Sequence, residues 1–142
     1  MQITYDTCVF IAYKDIPPPN LLSAVVVQEL LAGAADSHVV KSVIALAKEF
    51  HKAGRLLVPD GDDWIEAGKI LNNLLRGRRS SRKGRTPSLP AADKQRIIRD
   101  VLIARCAKRA GATLITDNLK DFAAISRYCN VKVRSGRSFF SS

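Results

Sequence analysis

The chain has 142 residues, enough for one domain with its own core, and 46% of them are hydrophobic against 25% charged, which excludes a disordered polymer. No apolar run approaches the ~18–20 residues of a membrane span, and Met1–Asp6 has neither the basic start nor the apolar stretch of a secretory leader, so a cytoplasmic location is expected. The formal net charge of +10, from 23 Lys and Arg against 13 Asp and Glu, points to a polyanionic partner, nucleic acid first among them.

In chain order, Ile3–Tyr5 is a short β-branched and aromatic stretch that predicts a strand ending at Asp6, and Val9–Ala12 continues as a helix start or loop. Pro17-Pro18-Pro19 breaks the chain. Ser23 is placed to cap a helix over Ala24–Ala35, with Gly33 near its end. Val39–Ala53 has a helical apolar period closed by Gly54, and Leu56–Val58 before Pro59 reads as a buried strand. Asp62 or Asp63 caps a helix from Trp64 to about Leu75. The segment Arg76–Thr86 (RGRRSSRKGRT) has no large apolar residue and is expected to be a solvated basic loop inserted within a single domain spanning 1–142. A long helix over Ala91–Ala110, a strand over Ala112–Thr116, a short helix over Leu119–Ser126 and a last strand over Val131–Val133 complete the order. Strands alternating with helices predict an α/β fold of three layers, a mainly parallel sheet with helices on both faces.

The cysteines Cys8, Cys106 and Cys129 are odd in number and lack C-x-x-C spacing, which argues for reduced, packed thiols rather than a disulfide framework or a structural zinc site. His38 and His51 have no acids arranged around them and read as surface residues. No phosphate-binding glycine loop and no G-x-S-x-G is present, so nucleotide-cofactor and serine-hydrolase chemistry lack support.

Most acids are explained by turns, caps or polar helix faces, among them Asp60, Asp62, Asp63, Glu66 and Asp93. Asp6 and Asp117 differ, because each follows a strand at its carboxyl end, where open parallel sheets bind ligands. Glu29 and Asp100 each lie on an otherwise apolar helical stripe, and a buried carboxylate without a partner is costly. Two readings stand. Either these acids pair with Lys or Arg, with Arg96 and Arg99 the candidates for Asp100, or a divalent cation neutralises them. Oxygen-only ligands favour Mg²⁺ or Mn²⁺, which activate water against a phosphodiester.

Four segments carry a resemblance: Tyr5-Asp6-Thr7, Ser23–Gly33 (SAVVVQELLAG), Asp100–Ala107 (DVLIARCA) and Leu114–Phe122 (LITDNLKDF). In order and spacing they resemble the four motifs of PIN-domain nucleases, and most of all the VapC-type toxins of toxin–antitoxin pairs. The resemblance implies a PIN-like fold, a Mg²⁺- or Mn²⁺-dependent endoribonuclease, an RNA substrate, a cognate antitoxin and a homodimer. It places Asp6, Glu29 and Asp100 as catalytic metal ligands, with Thr7, Thr116 and Asn118 orienting water, phosphate or a ligand carboxylate. The last motif matches as Thr116, Asn118, Asp121 and Phe122, which puts Asn118 where the family's acid stands; either Asp117 or Asp121 then completes the catalytic set, Asp117 as a metal ligand.

The basic segment departs from the minimal pattern. Its Arg76, Arg78, Arg79, Arg82, Lys83 and Arg85 are expected to track an RNA backbone, with a disordered loop of no special role and a dock for an acidic antitoxin tail as the alternatives. Two other functions compete with a ribonuclease. A catalytically silent PIN-like module would bind nucleic acid through that segment, and a receiver-like phospho-acceptor pocket would need a pair of acids after the first strand, which Tyr5-Asp6-Thr7 lacks.

Overall fold

Five short strands, all paired in parallel, organise the twelve elements among the described residues. A computed structural model of the chain describes residues 1–81 and 89–141, with 78–81 described by their backbone alone. The order is β1 (Ile3–Tyr5), α1 (Thr7–Ala12), β2 (Leu22–Ser23), α2 (Ala24–Ala32), α3 (Ser37–Lys52), β3 (Leu56–Leu57), α4 (Gly61–Ser81), α5 (Ala91–Arg109), β4 (Thr113–Ile115), α6 (Leu119–Ser126), β5 (Lys132–Arg134) and α7 (Gly136–Phe140).

One sheet runs β1-β4-β5 and a second pairs β2 with β3. The two meet at Ile3, whose carbonyl accepts from Asn20 and Leu21 N–H at 3.1 and 3.2 Å and whose N–H donates to Asn20 Oδ1 at 2.8 Å. Across the molecule the strands therefore run β3-β2-β1-β4-β5. The chain winds outward in opposite directions from β1, and the crevice where strand order reverses lies between β1 and β4. Tyr5 stands opposite Ile115 and Ile115 opposite Arg134, so Asp6 and Thr116 leave their strands side by side.

All six residues of β1 and β4 are buried. Alternate residues of a strand face opposite ways, so both faces of the sheet are covered. Leu114 packs on one face with Val101, Leu102 and Ile103 of α5. Ile3, Tyr5 and Ile115 pack on the other with Val9 and the partly buried Phe139 and Phe140. The three-layer α/β expectation is realised. Among the described residues, no helix is long and apolar enough to cross a membrane.

Three expectations need correction. Residues 76–81 are not loop, because α4 continues through them to Ser81; the stretch holds three arginines, which are good helix formers, and meets no proline before Pro87, and the lack of large apolar residues does not by itself end a helix. The rest of the expected basic loop, with Arg82, Lys83 and Arg85, lies outside the described residues, as do the side chains of Arg78 and Arg79. The structure also adds β2, a two-residue strand too short to show a period, and α7, capped by Ser135 through a bond from Ser138 N–H. Neither Asp62 nor Asp63 is the cap, because α4 starts at Gly61 with both inside its first turn and Asp60 before it, and Asp63 is a buried ion-pair partner instead. It is 1% exposed, its Oδ2 accepts from Asp60 N–H at 3.0 Å while Asp60 Oδ1 accepts from Asp63 N–H at 2.9 Å, and it pairs with Arg105 Nε at 3.0 Å and with Arg109.

Candidate active site

Asp6 is the first side chain beyond β1 and the N-cap of α1, its Oδ1 accepting from Thr7 N–H at 2.8 Å. It is 5% exposed. The other oxygen, Oδ2, accepts from Thr116 Oγ1 at 2.8 Å. Thr116, fully buried at the end of β4, also accepts from Asn118 N–H at 3.0 Å, so one hydroxyl ties the two strand ends and the following turn together. Thr7 Oγ1 donates to Glu29 Oε1 at 3.0 Å across to α2. Thr116 thus holds the Asp6 carboxylate and Thr7 that of Glu29.

Glu29 and Asp100 stand on the helix faces that the apolar stripes predict. Val25 and Val26, one turn from Glu29, are buried, as are Ile103 and Ala104 beside Asp100. Burial raises the pKa of Glu29, with Asp6 adding to the rise, against the Thr7 hydrogen bond and the charge of Arg99. The Arg99 contact is loose, Nε lying 3.6 Å from Glu29 Oε2.

Asp100 is the most perturbed acid. It is 7% exposed, and burial pushes its pKa up to about 7, with repulsion from Asp6, Glu29 and Asp121 in support and only Arg96 opposing. Neither Arg96 nor Arg99 forms the ion pair with Asp100 that the salt-bridge reading requires: Arg96 pairs with Asp93 at 3.8 Å and Asp121 at 3.6 Å, and Arg99 with Glu29. Among the described residues nothing hydrogen-bonds the Asp100 carboxylate.

The two acids after β4 have different surroundings. Asp117 faces away from the cluster, Oδ2 accepting from the Tyr13 hydroxyl and Oδ1 from Arg137 N–H at 3.1 Å at the start of α7. The Tyr13 hydroxyl and the backbone N–H groups of Arg137 and Gly136 hold it below the ordinary carboxylate range. Gly136 packs closely here, since a Cβ would lie 3.0 Å from the Tyr13 ring and the ring would have to give by a few tenths of an ångström. Asp121, in the first turn of α6, accepts from Asn118 Nδ2 at 3.1 Å and is one of the charges acting on Asp100.

Sequence reasoning passed over one group here. Cys8 is half-buried, its Sγ 3.4 Å from Asp6 Oδ2 and 3.5 Å from Thr116 Oγ1. Its position directly after the Asp6-Thr7 pair was the only available signal. Cys106 and Cys129 are buried in the manner of small hydrophobes, and His38 and His51 are exposed on α3, as expected.

As placed, no three His, Cys, Asp or Glu side chains among the described residues stand close enough to surround a metal ion. The donor chemistry still fits a hard divalent cation. Asp6, Glu29, Asp100 and Asp121 offer only oxygen, three of them raise the pKa of the fourth with Arg96 opposing, and among the described residues Asp100 has no donor to offset its burial.

Against solved structures, the chain is 23% identical to a chain of VapBC from Salmonella typhimurium, in a DNA-bound crystal structure, with a TM-score of 0.57 over 95% of this chain and 98% of that one. VapBC-1 from nontypeable Haemophilus influenzae gives 19% identity and a TM-score of 0.57 over the same shares. FitAB bound to an IR36 DNA fragment gives 20% and 0.54, over 94% of each chain. No family model matches the sequence, and no curated protein matches it. The chain has the PIN-like fold that its four motifs imply.

Proposed function

We propose that the chain is a Mg²⁺- or Mn²⁺-dependent endoribonuclease, the toxin of a toxin–antitoxin pair. The observation that carries the reading is Asp100. A carboxylate 7% exposed, with a pKa near 7, no hydrogen-bond donor and three further acids acting on it is a liability to the fold unless a cation enters. Its place beside the crevice where strand order reverses adds to this.

Asp6, Glu29 and Asp100 would hold the cation, with Asp121 as the fourth acid in preference to Asp117, whose two oxygens are engaged by Tyr13 and α7. A bound cation would supply a water of lowered pKa and positive charge against the phosphodiester. The chain's own groups do the positioning. Thr116 fixes the rotamer of Asp6 by donating to it. Thr7 does the same for Glu29 and Asn118 for Asp121, so the carboxylates are aimed before any substrate arrives. The +10 charge supports an RNA partner drawn in along its backbone, with exposed Arg76 on α4 and the basic residues beyond it as backbone contacts. The likeness to VapC-type toxins, in motifs and in fold, supports a protein antitoxin, a homodimer and a cytoplasmic site of action.

The test is cleavage of a long single-stranded RNA by the purified chain in Mg²⁺ or Mn²⁺. Asp6→Asn and Asp100→Asn should each lower the rate at least about a hundredfold, as loss of a group that aims reacting charge does, and chelation should abolish it. Undiminished cleavage by either variant would overturn the assignment, and RNA binding without cleavage would favour the silent module.

A further inference from the structure

A second cavity opens beside the acid cluster, between α4, α5 and α6. Its volume is about 340 Å³, and Leu74, Ile97 and Ile125 give it an apolar lining. Arg96, Arg127 and Tyr128 also line it. Asp121 belongs to both places: it lines this cavity, and its charge acts on Asp100. Tyr128 is 46% exposed although its ring lies beside apolar side chains. Among the described residues, neither the Arg127 guanidinium nor the Tyr128 ring or hydroxyl has an ion pair, hydrogen bond or ring partner.

We infer that this cavity is a subsite for one unpaired nucleotide of an RNA strand next to the bond that is cut, with the base beside Tyr128 over the apolar floor and its phosphate met by Arg127. The inference rests on the ribonuclease reading and adds to it a defined contact with substrate.

Size selects the occupant. About 340 Å³ is at the small end of the roughly 300–1,000 Å³ range of ligand pockets, enough for one flat base. Chemistry selects it too. Splayed RNA bases are held by stacking on aromatic rings and guanidinium planes, with cations tracking the phosphates. An apolar floor, an exposed tyrosine and an unpaired arginine supply these parts, and the net charge of +10 favours a polyanion. Arg96 lies 3.8 Å from Asp93 and 3.6 Å from Asp121, whereas among the described residues Arg127 has no such acidic neighbour. The cavity suits single-stranded RNA, because a paired base cannot leave its stack without cost.

The test uses the full chain and a fluorescein-labelled single-stranded RNA oligonucleotide of mixed sequence, with binding read by anisotropy in EDTA and cleavage read separately in Mn²⁺. Tyr128→Ala should weaken binding at least about fivefold, as loss of one stacked base does, while Tyr128→Phe keeps it. Arg127→Ala should weaken binding and reduce its salt dependence by about one phosphate contact. An RNA with one abasic residue beside the cut should bind the wild type as weakly as intact RNA binds Tyr128→Ala, with no further loss in combination. Thermal melts check that the variants fold. Binding that is indifferent to all three changes, or no binding by the wild type, overturns the subsite. Wild-type cleavage with indifferent variants overturns the subsite alone, whereas cavity-dependent binding without cleavage supports a nucleotide in the cavity but overturns the ribonuclease reading and, with it, a position beside a cut bond.

Discussion

Asp100 separates what the fold needs from what the site needs. Its neighbours on α5, Val101, Leu102, Ile103 and Ala104, are all buried, so an apolar or neutral side chain would be the stable choice at position 100. With its pKa pushed up to about 7 in the fold against 3.8 for the ordinary group, the folded state binds a proton more tightly than the unfolded state. Below about pH 4 both states are protonated and nothing is lost. Stability then falls as pH rises through 4 to 7, and above 7 the full penalty applies, of the order of 2–4 kcal/mol. In EDTA, Asp100→Asn should therefore be more stable than the wild type at pH 8 by an amount of that order and nearly equal to it at pH 4, as urea melts at the two pH values would read. A variant less stable than wild type at pH 8 would show that the carboxylate serves the fold.

At this scale the sequence was informative wherever a carboxylate broke a helical period: Glu29 among valines and Asp100 among apolar residues can be read without coordinates. The choice between Asp117 and Asp121 could not be. It depends on Tyr13 and Arg137, which reach Asp117 from 104 and 20 residues away in the chain, and no local pattern encodes such contacts.

Among the elements, the pairing of α4 with α5 turns on Asp63. Burial alone would raise its pKa, but the Asp60 N–H and the Arg109 and Arg105 guanidinium groups outweigh that and hold it below the ordinary range. A depressed carboxylate contributes stability that is present above about pH 4 and is lost as pH falls through its folded value. Asp63→Asn should cost about 2–4 kcal/mol at pH 7, less than a fully buried pair because Arg105 and Arg109 remain partly exposed. The loss should shrink as pH falls below about 4 toward the folded value; an equal loss at neutral and at low pH would assign the effect to packing. The sequence placed Asp63 at the start of a helix, correctly, but the Arg105 and Arg109 partners lie 42 and 46 residues on and came only with the fold. α3, with its strong apolar period, and α2 and α5, bounded by Ser23, Pro90 and Gly111, were legible to within a turn. α7 was not, because its five residues are held by Phe139 and Phe140 against Tyr5 and Tyr13 rather than by periodicity.

For the whole molecule, the strand order sets where the site lies. β1 and β4 are adjacent in the sheet though more than a hundred residues apart in sequence, and their parallel register delivers Asp6 and Thr116 to the same edge. α2, α5 and α6 then bring Glu29, Asp100 and Asp121 into the same electrostatic field. Alternating strands and helices foretold a parallel sheet and the carboxyl ends as the binding edge, while the strand order itself needed the structure. A net charge of +10 together with an acidic centre suits a metal-assisted attack on a polyanion: long-range attraction for the substrate and short-range attraction for the cation. The central claim is that the acids are a cation site rather than an ion-paired core. Calorimetric titration of the metal-free chain with Mn²⁺ at pH 8 tests it most directly. Saturable uptake by the wild type that is lost in Asp100→Asn and in Asp6→Asn is the predicted result; no uptake by the wild type, or uptake unchanged in both variants, would contradict it.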